Sequence, residues 1–98
     1  MSKLVIMATI EIAPGKRDQV VPLLTAHGAR CLKDEPGTLE FKVVIPRDED
    51  SKVLLYEVYQ DDAAFELHRN GSSMARWREE AASMIVKAVA TKCTPTDE

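Results

Sequence analysis

The chain has 98 residues, 45% of them hydrophobic and 30% charged, which is the size and composition of one globular domain. Its net charge of −3 and pI near 5.4 speak against nucleic acid or an anionic membrane as partner, because both need a positive field. The 13 Lys and Arg residues form no run longer than Lys16-Arg17.

The opening "MSKLVIMATIEIAPGK" has an apolar stretch of about six residues before Glu11, too short for a signal peptide or a membrane span. It alternates instead. Leu4, Ile6, Ala8, Ile10 and Ile12 fall on one side, and Val5, Met7, Thr9 and Glu11 on the other, so Lys3 to Ile12 is predicted to be a strand. Pro14 and Gly15 break it. From Lys16 to Asp34 the period becomes helical, with Val20, Leu23, Leu24, His27 and Cys31 on one stripe, Pro22 near the first turn and Gly28 in the middle. "DEPG" at 34–37 stops that helix.

Thr38 to Ile45 is predicted as a second strand, with Leu39, Phe41, Val43 and Ile45 on one face. A polar hairpin connection leads to a third strand, Val53 to Gln60. Asp61 or Asp62 caps a short helix through Arg69, and "NGSS" interrupts it. Ser72 or Ser73 caps a second helical piece carrying Met74, Trp77, Ala81, Met84 and Ile85 as its stripe. Val86 to Thr94 reads as a fourth strand. Cys31 and Cys93 have neither CxxC spacing nor a partnering histidine spacing, so free thiols, no metal and a cytoplasmic location are the expectation.

The order β-α-β-β-α-β predicts an α+β, ferredoxin-like antiparallel sheet with helices on one face. Residues 1–94 are expected to form one domain and 95–98 a disordered tail. A chain of this length buries only ~60–65% of its unfolded surface. Both rows of the third strand, Leu54, Tyr56, Val58 and Val53, Leu55, Glu57, Tyr59, resist reading as a solvated face. A sheet apolar on both sides needs cover on both sides, which predicts a homodimer, possibly assembling further. The cleaner rows, Leu4, Ile6, Ile10 and Leu54, Tyr56, Val58, are expected beneath the helices. Val5, Met7, Thr9, Glu11 and Leu55, Glu57, Tyr59 would then line a largely apolar pocket on the opposite face.

"EPGTLEF" after the first helix, and "LYEVYQDDAAFELH" across the third strand and second helix, resemble the antibiotic biosynthesis monooxygenase-like family of dimeric α/β-barrel proteins. The resemblance covers nearly the whole chain and rests on Glu57, an aromatic at 59, Asp61 or Asp62, Ala64, Phe65 and His68. It implies one of several chemistries: cofactor-free oxygenation of quinols or anthrones, haem degradation, or processing of a phosphorylated signal. The haem-degrading pattern has an Asn on the first strand, a Trp at position 59 and a His late in the second helix. This chain has no such Asn, Tyr59, and Trp77 with Arg78 late in the helix, so the resemblance points away from haem.

His68 is the candidate catalytic base, since an imidazole titrates near neutrality and oxygen reacts far better with a phenolate than with a phenol. The competing reading is a hydrogen-bonded packing residue on the face of Ala64 and Phe65. Tyr59, Glu57, Trp77, Met7, Thr9 and Leu55 are the candidate substrate-binding residues. Tyr59 could stack on an aromatic ring, while Tyr56, on the other face by strand parity, is assigned to the core. Glu57 aimed into an apolar space needs a partner or a raised pKa. Trp77 and Met74 also fit simple helix packing, His27 a core histidine, and Arg76 a solvated surface. The leading expectation is a cofactor-free, metal-free monooxygenase taking a small aromatic or quinol substrate and O2. The alternatives are a non-catalytic, ligand-binding or stress-related dimer, and an isomerase of a small phosphorylated dicarbonyl using Arg69, Arg76, Arg78 or Lys42 as phosphate clamp.

Overall fold

A computed structural model of the chain describes residues 2–97. Its elements are β1 (Leu4–Ile12), α1 (Arg17–Asp34), β2 (Thr38–Val44), β3 (Lys52–Tyr59), α2 (Asp62–Arg69), α3 (Ser72–Ala81) and β4 (Ile85–Cys93). All three strand pairings are antiparallel and the order across the sheet is β2-β3-β1-β4. This is the ferredoxin-like α+β arrangement, with the second crossover split into α2 and α3. The expected tail ends at Glu98, which lies outside the described residues.

Local chemistry sets the boundaries. Gly15 ends the β1 turn with φ 77°, a conformation glycine adopts without a Cβ penalty. The Asp61 carboxylate accepts from the Ala64 N–H at 2.8 Å and so starts α2. No serine caps α3: Gly71 holds the cap position, and the Ser73 hydroxyl is engaged by α1 instead. Met84 and Ile85, expected on the helix stripe, lie beyond it. The Met84 N–H closes a turn on the Ala81 carbonyl and its own carbonyl accepts from Ala13, which hands the chain to β4 at Ile85.

Register decides which residues lie beneath the helices. Leu4 faces Tyr59, Ile6 faces Glu57, Ala8 faces Leu55 and Ile10 faces Val53, and directly opposed residues of an antiparallel pair point the same way. The helix-covered row of β3 is therefore Val53, Leu55, Glu57 and Tyr59, not Leu54, Tyr56 and Val58 as expected. Tyr56 accordingly leaves the core for the outer face, opposite Met7. Apolarity alone assigned the rows to faces, whereas pairing with β1 fixes them, and a buried carboxylate on the inner row had made that row look like the outer one.

The main core joins Ile10, Ile12, Val53 and Leu55 of the sheet to Val20 and Leu24 of α1 and Trp77 and Ala81 of α3. Each fully buried aliphatic side chain there contributes roughly 1.5–3 kcal/mol. A smaller cluster of Leu4, Ile6 and Tyr59 sits under α2. Edge strand β4 is different: apart from its two ends its residues are exposed, including Ala88 and Ala90, which face the helix side.

Candidate functional site

Between the helices and the sheet lies a cavity of about 160 Å3. Its floor is Ile6, Ala8, Ile10, Leu55 and Glu57, its roof comes from α1, α2 and α3, and its outer rim is Ala88, Val89 and Ala90 of β4. The wall is apolar except for Glu57, His27 and His68. Gly28 shapes one side of it, because a Cβ at that position would collide with the Phe41 ring, another wall residue.

His68 stands in the last turn of α2 and is 3% exposed. Its Nδ1 lies 2.9 Å from Oε1 of Glu35, the residue that ends α1. Thr38 donates its hydroxyl to the same oxygen at 2.7 Å. Burial works to raise the Glu35 carboxyl, but the hydrogen bonds from Thr38 and His68 and the His68 charge hold it below the usual carboxylate value. An ionised Glu35 accepts from His68 Nδ1–H and fixes the ring, which leaves Nε2 as the working nitrogen. Tyr59 and Phe65 pack beside it, with ring centroids 5.2 and 6.2 Å from His68.

Glu57 is 5% exposed. Burial pushes its carboxyl above the ordinary value, although the Tyr59 hydroxyl donates to Oε1 and opposes the shift. Burial and the Glu57 charge push the Tyr59 phenol up as well, so it stays protonated and acts as donor. Across the cavity His27 stacks on Trp77 at 5.9 Å and 19°. Its Nδ1 is 2.9 Å from the Ser73 hydroxyl, which also accepts from Arg30 Nε at 2.9 Å. Burial, with the His68 and Arg30 charges, lowers His27 to about 4, so it is a neutral imidazole at pH 7.

The family model for antibiotic biosynthesis monooxygenase matches residues 3–80. The chain belongs to the antibiotic biosynthesis monooxygenase family. A Nitrosomonas europaea protein, named as a proposed antibiotic biosynthesis monooxygenase, superposes with a TM-score of 0.91 over 98% of this chain and 92% of its own, at 15% identity. A Pseudomonas aeruginosa structure gives 0.88 over 97% and 95% at 24% identity. A Mycobacterium tuberculosis structure gives 0.86 over 99% and 98% at 21%. At these identities the likeness establishes the fold. No curated protein matches the chain.

Within this family member, His68, Glu57, Leu55 and Trp77 of the expected site line one cavity. Tyr59 is fully buried behind it and reaches it through Glu57. Met7 and Thr9 do not meet them: they lie on the outer sheet face, opposite Tyr56 and Leu54, because side chains alternate along β1. Arg76 pairs with Glu80 on the surface. Sequence reasoning missed Glu35, Phe41 and the role of His27 in the wall. Glu35 stands in "DEPG" as a helix stop and in "EPGTLEF" as part of the family resemblance, in neither place as a partner for His68. His27 and Cys31 are one turn apart on α1, and α2 brings His68 to them, so one ligand atom from each lies within 4.8 Å of the others. Cys31 and Cys93 are free thiols.

Proposed function

We propose that this chain is a cofactor-free monooxygenase for a single-ring, electron-rich aromatic of the hydroquinone type, with His68 as base. The observation that carries the reading is His68 itself: a nearly buried imidazole in the wall of a largely apolar cavity, oriented through Nδ1 by an ionised carboxylate. A base fixed by a second group is the usual arrangement for proton abstraction. The cavity's 160 Å3 is about half of the ~300 Å3 at which pockets for drug-sized ligands begin. That supports one ring rather than a fused polycycle or haem.

In this account His68 Nε2 takes a phenolic proton, and the phenolate gives up electrons to O2. A hydroquinone plus O2 yields a hydroxyquinone plus water: the substrate loses four electrons, one oxygen atom enters the ring, and the other leaves as water. Trp77, Phe41 and Leu55 hold the ring, and Glu57 with Tyr59 presents a polar group to the second oxygen. The phosphorylated-dicarbonyl isomerase has less support. Among the described residues no Arg or Lys lines the cavity, Arg69 and Arg76 pair with Glu66 and Glu80, and Lys42 with Glu40.

The enzyme works as a cytosolic homodimer in this reading. The outer sheet face carries Val5, Leu54, Tyr56 and Val58 together with Met7, Val44 and Val89, which are 50%, 47% and 49% exposed, and a second copy would cover it. Among the described residues no helix is long and apolar enough to cross a membrane. Oxygen-electrode traces with a panel of hydroquinones test the chemistry. The expected result is stoichiometric O2 uptake that His68→Ala reduces at least 100-fold; equal rates for the two proteins would remove His68 as the base, and a saturable thermal shift with no uptake would replace catalysis by binding.

A further inference from the structure

The cluster around Cys31 goes beyond what the monooxygenase reading uses. Cys31 is fully buried on α1, one turn from His27 and near the α2 histidine His68. Its Sγ is 3.7 and 3.8 Å from the two nitrogens of His27, and the nearest ligand atoms of the three residues are within 4.8 Å of one another. We propose that His27, Cys31 and His68 form a binding site for a borderline-soft divalent transition metal ion of the Zn2+ or Co2+ type, with the fourth coordination position facing the cavity.

The donor set suits such an ion: one thiolate and two imidazoles with an open position make a tetrahedral site. Both imidazoles already have outer partners. Ser73 engages His27 at Nδ1 and Glu35 engages His68 at Nδ1, so Nε2 is the nitrogen of each ring that no oxygen partner holds, as in metal-bound histidines backed by a carboxylate or hydroxyl. Tetrahedral Zn–N and Zn–S bonds place ligand atoms about 3.5 Å apart. The cluster is looser than that, so its side chains must draw together to close the site around an ion.

The surrounding charges favour a dication. Glu35 touches His68 and Glu57 lies in the same cavity, while Arg30 reaches Ser73 and the cations of Arg69 and Lys92 lie over the Phe65 ring. Without an ion, burial keeps the Cys31 thiol protonated, pushing it up to about 12. Coordination replaces that proton, which goes to solvent, with the metal. Because an ion on His68 occupies the nitrogen that would accept the substrate proton, metal-loaded protein is expected to be inactive as an oxygenase.

The test uses full-length Cys93→Ser protein, which removes the other thiol, titrated with Co2+ alone. The expected result is one Co2+ per chain, with visible bands of tetrahedral Co2+ and a thiolate-to-cobalt charge-transfer band. Zn2+ should displace it, and Cys31→Ser should lose the charge-transfer band. X-ray absorption on the Zn2+-loaded Cys93→Ser protein gives the same answer without altering the cluster: one sulfur near ~2.3 Å and two or more nitrogen or oxygen atoms near ~2.0–2.1 Å. No charge-transfer band, or zinc without a sulfur neighbour, overturns the site. These readouts involve no turnover, so they stand or fall separately from oxygen uptake.

Discussion

Replacing Glu57 by Gln should make the protein more stable, and less active, at neutral pH. The Glu57 side chain is 5% exposed and receives one hydrogen bond, from the Tyr59 hydroxyl. An ionised carboxylate there forgoes several kcal/mol of hydration. One charge-assisted bond returns ~1.5–3 kcal/mol. The charged form is left at a deficit of about 1–2 kcal/mol, in keeping with a carboxyl that burial pushes above its usual value. The folded protein therefore holds this proton more tightly than the unfolded chain does. Stability is then greatest below the ordinary value of 4.5 and declines as pH rises from there through the folded-state value. Gln keeps an oxygen for Tyr59 and has no proton to lose. Thermal melts followed by circular dichroism from pH 4 to pH 8 should show Glu57→Gln gaining on the wild type as pH rises, by roughly 5–15 °C of Tm. A difference independent of pH, or a variant less stable at pH 8, would refute the buried-carboxylate argument.

Further consequences follow from the same geometry. Gly28→Ala gains up to about 1 kcal/mol of helix propensity but drives a methyl into Phe41, an overpacking cost of ~1–3 kcal/mol. It should lower Tm slightly and weaken hydroquinone binding more than two-fold by calorimetry, with unchanged binding arguing that Phe41 is not part of the wall. Asp61→Ala removes the α2 cap and should cost about 1 kcal/mol in denaturant unfolding, with faster amide exchange across Asp62–Arg69; protection equal to wild type would mean that packing alone holds His68. Met7→Glu puts a charge on the outer sheet face, where Met7 is 50% exposed. Sedimentation should show the wild type at twice 10.9 kDa and the variant shifted to monomer, and a wild-type monomer at micromolar concentration would remove the dimer.

Period and punctuation carried the fold. The switch from alternation at Ile12 to helical spacing after Lys16, and the return at Thr38, mark three elements within about two residues. The Asp61-Asp62 pair announced α2 by its chemistry, and Asp61 is the one that caps it. Two things were not legible. Strand parity between β1 and β3 depends on pairing register, a long-range property that row composition does not encode, and so Met7 and Thr9 were set beside Glu57 and Tyr59 when they face away. The partners of His68 were the other. Glu35 lies 33 positions away in sequence and meets it only because α1 ends where α2 packs. Likewise His27 and Cys31 are an ordinary i, i+4 helix pair until α2 delivers a third donor. Polar residues in a helix stop and on an apolar stripe each have a local explanation, and the local explanation concealed the shared site.

A crystal structure of the protein grown anaerobically with a single-ring hydroquinone asks where the substrate sits relative to His68. The ring is expected in the cavity between Trp77, Phe41 and Leu55, with one hydroxyl about 2.6–3.2 Å from His68 Nε2 while Nδ1 keeps its bond to Glu35. A ring bound on the outer face of the sheet, or one in the cavity with both hydroxyls beyond reach of His68, would contradict it.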